Sequence, residues 1–145
     1  MYLCKPNSDL SIMLSGSFYT ILTFSTSELA LNQKQVRVSV LLNPGHLIFQ
    51  GHFPGNPVVP GVCQIQMVKE LVEKGLNQTL RLTESDNIKF LLMINPIEIP
   101  RIDFDILIKP IAVQQFQITA TISFESSLFL KFKGKFEPET LNLEP

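Results

Sequence analysis

At 145 residues, 45% of them hydrophobic, the chain is long enough to bury one sizeable core and short for two, so a single domain over 1–145 is expected. Twelve basic residues against thirteen acidic ones leave a net charge of −1, which argues against nucleic acid or an anionic membrane as a partner. The longest wholly apolar run, Phe90 to Ile94, is much too short to cross a bilayer, and the serine-broken stretch Ser11 to Leu22 does not fit a signal peptide, so a cytoplasmic location is expected.

Two strands are predicted first, Ser17 to Ser27 and Gln35 to Leu42. In the second, Val36, Val38, Val40 and Leu42 alternate with Gln35, Arg37, Ser39 and Leu41, the period of two of a strand with one buried face. Asn43-Pro44-Gly45 ends it, and His46 follows as an exposed loop residue. Cys4 and Cys63 have no CxxC spacing and no histidine beside them that would make a metal site. Both read as reduced thiols, Cys63 as a small buried hydrophobe. No metal and no cofactor is implied.

The next stretch, Gly51-His52-Phe53-Pro54-Gly55-Asn56-Pro57-Val58-Val59-Pro60-Gly61-Val62, is the most informative in the chain. Prolines at 54, 57 and 60 each fix φ and remove a backbone donor, so the loop is stiff and extended. Pro54-Gly55 suits the central positions of a type II turn, where the second residue needs positive φ. His52, the side chain most easily used as a base near neutral pH, stands just before that turn. Gly61 opens a helix, and a glycine there lets a ligand reach backbone N–H groups at the positive end of the helix dipole.

That helix is predicted to run through Leu76, with Gly75 as its C-terminal cap. With Val62 set at 0°, successive 100° steps place Ile65, Met67, Val68, Leu71 and Val72 on a broad apolar arc, with Lys69, Glu70 and Glu73 opposite. Gln66 falls at the centre of the polar arc, where periodicity alone makes it a solvated side chain. Gln64 falls on the apolar arc and needs a hydrogen-bond partner if buried.

Four more strands are predicted: Ile88 to Ile94, Arg101 to Ile108, Gln115 to Phe124 and Leu128 to Phe136, with a hairpin turn at Glu125-Ser126-Ser127. Lys131, Lys133 and Lys135 line one face of the last, either as a solvated edge or as a docking patch for an acidic carrier protein. Residues 138–145 read as a loose tail. One long helix between two early strands and four later ones gives an α+β fold, an antiparallel sheet wrapped around a central helix.

The run His52-Phe53-Pro54-Gly55-x-Pro57-x-x-Pro60-Gly61-Val62 resembles the signature of the FabA/FabZ-type (3R)-hydroxyacyl-[acyl carrier protein] dehydratases, hotdog folds that act on acyl thioesters. The resemblance implies that His52 removes the proton α to the thioester. It also implies that the Gly61 N–H holds the thioester oxygen and that the Val58 carbonyl orients the imidazole. Phe53, Pro60 and Val62 carry over as further substrate-binding positions. Family members place a Glu or Asp, reaching the histidine of a neighbouring subunit, at the position that is Gln66 here. Gln64 resembles a glutamine found in aryl-polyene-type relatives.

The resemblance further implies a homodimer or larger homo-oligomer, or a hetero-oligomer with another hotdog subunit, and a substrate carried on acyl carrier protein or coenzyme A. Three readings follow: a 3-hydroxyacyl thioester dehydratase, a hydro-lyase; a catalytically weak subunit that binds carrier protein or an active partner; and a thioesterase. The amide of Gln66 has no proton to give near neutral pH, which is what separates them.

Overall fold

The computed structural model describes residues 13–51 and 55–139. Its elements in chain order are β1 (Tyr19–Glu28), β2 (Lys34–Leu42), a short α1 (Leu47–Gly51), α2 (Gly61–Leu76), β3 (Leu80–Phe90), β4 (Arg101–Ala112), β5 (Gln115–Phe124) and β6 (Ser127–Pro138). The six strands form one antiparallel sheet in the order β1-β2-β4-β5-β6-β3. It wraps α2, the only long helix among the described residues, and this is the α+β hotdog fold that the sequence leads one to expect.

The core follows from the alternation. Val36, Val38 and Val40 of β2, Ile102, Phe104, Ile106 and Ile108 of β4, and Ile118, Ala120 and Ile122 of β5 are all buried on the helix-facing side. Met67, Val68, Leu71 and Val72 of α2 close that layer from the other side. Each of these valine, isoleucine, leucine, phenylalanine and methionine side chains stabilises the fold by roughly 1.5–3 kcal/mol, which makes this layer the dominant favourable contribution.

Several expectations need correction. The first strand starts at Tyr19 because Gly16, with φ +93, folds Ser15–Phe18 into a turn in which the Ser17 and Phe18 N–H groups donate to the Leu14 carbonyl. The strand expected over 88–94 instead covers Leu80–Phe90; the polar run Thr83–Asn87 hid it, because this middle part of the edge strand is exposed on both faces. The residues at 131, 133 and 135 do not lie on an edge, since β6 is held between β5 and β3. Lys135 pairs with Glu84 and Asp86, leaving Lys131 and Lys133 exposed.

Gly75 is not the helix cap. Asn77, with φ 56 and ψ 44, takes the left-handed position, and Gly75 stays helical, where a β-carbon would lie 3.1 Å from Val36 Cγ2. Of the expected tail, Pro138 ends β6 and Glu139 N–H donates to the Thr79 carbonyl; 140–145 lie outside the described residues. Cys63 is buried as expected, but it is disulfide-bonded rather than a reduced thiol, and its partner lies outside the described residues. No described helix is long and apolar enough to cross a membrane.

Candidate active site

The loop leading into α2 is fixed by its backbone. Val59 N–H donates to the Ile94 carbonyl at 2.9 Å, Pro57 and Val59 are buried, and Gly55 has φ +84, the positive value expected after Pro54. Val58 and Pro60 are half-buried, while Val62 is exposed. His52, Phe53 and Pro54, expected to supply the base and its turn, lie outside the described residues.

Pro60 occupies the N-cap and has no side-chain acceptor to offer the helix start. The N–H groups of Cys63 and Gln64 turn back to the Pro60 carbonyl at 3.0 and 3.1 Å. Those of Gly61 and Val62 have no partner among the described residues. Two unpaired donors therefore stand at the positive end of a sixteen-residue helix, the arrangement that binds an anionic or strongly polarised oxygen.

The ring of Phe90, at the end of β3, covers Gly61: a β-carbon there would lie 2.7 Å from Phe90 Cζ. Only glycine leaves the ring and the helix start this close.

Gln66 is buried, against the expectation from periodicity. Its Nε2 donates to Glu70 Oε2 at 2.9 Å. Glu70, also assigned to the polar arc, is only 6% exposed. The chain segment before β1 covers this side of the helix, and Glu70 binds it: Oε2 accepts from Leu14 N–H at 2.8 Å, and Oε1 from Ser15 N–H at 3.0 Å and Tyr19 O–H at 2.8 Å. Burial, and then the Glu70 charge, push the Tyr19 phenol far above its ordinary range, so it remains a donor. A pocket of about 420 Å³ beside Glu70 is bordered by Tyr19 and Lys74 among others but not by Gly61 or Gln66.

Sequence reasoning missed the Glu70 cluster because a helical wheel cannot see a covering segment. The available signal was the i,i+4 spacing of an amide and a carboxylate. Gln64 is buried as its arc implied; its Nε2 donates to the Val59 carbonyl at 3.2 Å and its Oε1 is unpaired among the described residues. His46 is not merely a loop residue: its Nδ1 accepts from Ile48 N–H at 3.1 Å, capping α1, and its ring meets Phe18 edge-on. Burial lowers its pKa.

A hotdog sheet around a helix whose glycine-opened start follows a proline-stiffened loop defines the chain as a protein of the FabA/FabZ-type dehydratase class. Within that class, residues 27–127, more than two thirds of the chain, match the ApeI-like family described as ApeI dehydratase, and the chain belongs to that family.

The chain is 45% identical over 50 residues to the 3-hydroxyacyl-[acyl-carrier-protein] dehydratase FabZ of Latilactobacillus sakei subsp. sakei (strain 23K), covering 34% of this chain and 31% of that one. It is 31% identical over 83 residues to the FabZ of Caulobacter vibrioides (strain NA1000 / CB15N), covering 51% and 52%. The match thus spans at most about half the length of these curated relatives.

Among solved structures, the dehydratase heterocomplex ApeI:P from Xenorhabdus doucetiae is similar with a TM-score of 0.60 at 19% identity, covering 81% of this chain and 96% of that one. An apo-hexameric acyl-CoA thioesterase is similar with a TM-score of 0.54 at 11% identity, covering 77% and 72%. At these identities the likeness is one of fold.

Proposed function

We propose that the protein is a dehydratase of 3-hydroxyacyl thioesters carried on acyl carrier protein or coenzyme A, acting in fatty acid or related lipid or polyene synthesis. The observation that carries this reading is the pair of N–H groups at Gly61 and Val62 with no partner among the described residues, at the end of a loop that carries His52 in the dehydratase signature. In this scheme neutral His52 takes the α-proton. The Gly61 N–H stabilises the enolate oxygen as charge develops there, and the Val58 carbonyl orients the imidazole. The imidazolium then returns its proton to the departing 3-hydroxyl: the Cα–H and Cβ–O bonds break, a carbon–carbon double bond forms, and water leaves.

The site is proposed to be completed by a second subunit. Among the described residues no strand pairs with the outer edge of β3, which ends in an exposed apolar run, Phe90, Leu91, Leu92 and Met93, beside Gly61. Pairing of two copies along that edge would cover the run and bring two sites together. We take residues 1–145 as one hotdog domain and the cytoplasm as its location.

A second reading is a catalytically weak subunit that binds carrier protein or an active partner. It is favoured by Gln66, which cannot donate a proton, and by the similar Xenorhabdus protein being a heterocomplex. A thioesterase is a third reading, resting on a shared fold alone.

Incubation of the purified protein with short, medium and long 3-hydroxyacyl thioesters separates the three. Enoyl thioester is the expected product. Free thiol would replace dehydration with hydrolysis, and no turnover together with tight carrier binding would favour the second reading.

A further inference from the structure

Glu70 takes no part in the scheme above, yet it is the most heavily hydrogen-bonded side chain near the site. Its carboxylate accepts from four donors: two backbone N–H groups, a phenol and the Gln66 amide. A carboxylate can only accept, so it must face the NH2 end of Gln66, and this fixes which way the amide points. The other end, Oε1, has no partner among the described residues and is not a buried orphan, in contrast to Gln64 Oε1.

We infer that Glu70 is a positioning residue: it holds the Gln66 amide with its donor end turned inward, so that position 66 presents an acceptor oxygen to the substrate. An inverted amide would bring Oε1 against the Glu70 carboxylate, two acceptors with no hydrogen between them. The orientation is fixed more firmly because Glu70 is itself immobile, tied to Leu14, Ser15 and Tyr19.

The inference rests on the dehydratase reading and deepens it. An acceptor at position 66 binds the hydrogen of the substrate 3-hydroxyl and leaves the lone pairs of that oxygen open. The oxygen can then receive the proton carried by the His52 imidazolium. Gln66 neither gains nor loses a proton in this step, which is all that an amide permits near neutral pH. One of the two N–H groups of the Gln66 amide is committed to Glu70, which leaves a single N–H for any water relay.

The test compares binding of 3-hydroxyoctanoyl-coenzyme A with that of octanoyl-coenzyme A, which lacks the hydroxyl, in the parent, Glu70→Gln, Gln66→Leu and the double variant. In the parent the hydroxylated ligand is expected to bind more tightly, by about three- to tenfold for one hydrogen bond. Glu70→Gln should erase much of that preference while leaving octanoyl affinity unchanged. Gln66→Leu should do the same, and the double variant should lose no more than either single one. A Glu70→Gln protein that folds and keeps the full preference, or loses both ligands equally, overturns the inference.

A second measurement does not depend on ligand. The Gln66 side-chain NH2 resonances, identified by their absence in Gln66→Leu, should exchange slowly in the parent and rapidly in Glu70→Ala. Fast exchange in the parent overturns the positioning role. A protected NH2 in a parent that binds neither thioester instead overturns the acyl reading, and with it the acceptor role toward a hydroxyl.

Discussion

The Phe90 ring lies directly on Gly61, with its Cζ 2.7 Å from where a β-carbon would stand, so the end of β3 and the start of α2 are fitted through a missing side chain. Gly61→Ala should therefore push the ring away and shift the helix start, whose first N–H groups have no partner among the described residues. Turnover is expected to fall about 10- to 1,000-fold, in the range for losing an oxyanion donor, with little change in melting temperature. Gly61→Ala/Phe90→Ala distinguishes the causes: recovery of activity would assign the loss to the ring, and persistence would assign it to crowding of the thioester oxygen.

His52→Ala is expected to abolish dehydration and the reverse hydration while leaving the fold intact. The loop is held by its prolines and by the Val59–Ile94 hydrogen bond, none of which needs the imidazole. Circular dichroism and an enoyl hydration assay on the same preparation check both halves. Undiminished turnover would place the base elsewhere.

Replacing Glu70 by alanine should be among the most destabilising changes on the helix. It would strand the buried Leu14 N–H, the Tyr19 hydroxyl and the Gln66 NH2 without an acceptor. An unsatisfied buried donor costs about 1–3 kcal/mol, and local relaxation should keep the total to roughly 2–5 kcal/mol, near that for breaking a buried charged network. Urea unfolding measures it. A loss under about 1 kcal/mol, the size of a surface substitution effect, would mean that the 14–19 segment does not seat on the helix.

The fold was legible because burial on one face writes itself into a period of two. Ile102 to Ile108 and Phe116 to Phe124 alternate cleanly, and Gly61–Leu76 matches its predicted bounds. The middle of β3, Thr83 to Asn87, was illegible for the opposite reason: it is exposed on both faces and has no alternation to read. The site was half legible. Proline spacing marked the rigid loop and Gly61 marked the helix start, since backbone constraint is local. The burial of Gln66 and Glu70 depends on a segment some 50 residues earlier in the chain, and no window along the helix contains it.

Protonation of His46 should weaken the fold in mildly acidic solution. Its Nδ1 is an acceptor for Ile48 N–H, and burial lowers its pKa in the folded state. The folded protein thus binds that proton less readily than the unfolded chain. Its contribution to stability is fully present above the ordinary histidine value of about 6.5 and declines as pH falls below it. His46→Asn retains an acceptor that does not titrate, so the difference in melting temperature between parent and variant should shift against the parent between about pH 7 and pH 5. The partial exposure of the ring keeps the effect small. A difference independent of pH would remove His46 from the acid response.

Gln66→Glu tests the site most sharply, and Glu70 decides how. A carboxyl at position 66 would stand one turn from Glu70, where the amide now donates at 2.9 Å, and two carboxylates so close cannot both ionise. The pair should share one proton and titrate as a unit, with the second ionisation displaced upward. Position 66 would then carry a proton near neutral pH and could protonate the departing hydroxyl, which the parent amide cannot do. General acid catalysis is worth roughly 100- to 10,000-fold, so dehydration should quicken by a factor in that range, with the rate falling at higher pH as the pair loses its shared proton. In Gln66→Glu/Glu70→Gln the like charge is gone and the new amide donates to the acid, so the falling limb should move to lower pH. An unchanged rate in an active enzyme would separate position 66 from the reacting atoms. A sharp loss would show that the amide oxygen itself is needed, and an inert parent and variant that both bind carrier protein would make the non-catalytic subunit the better reading.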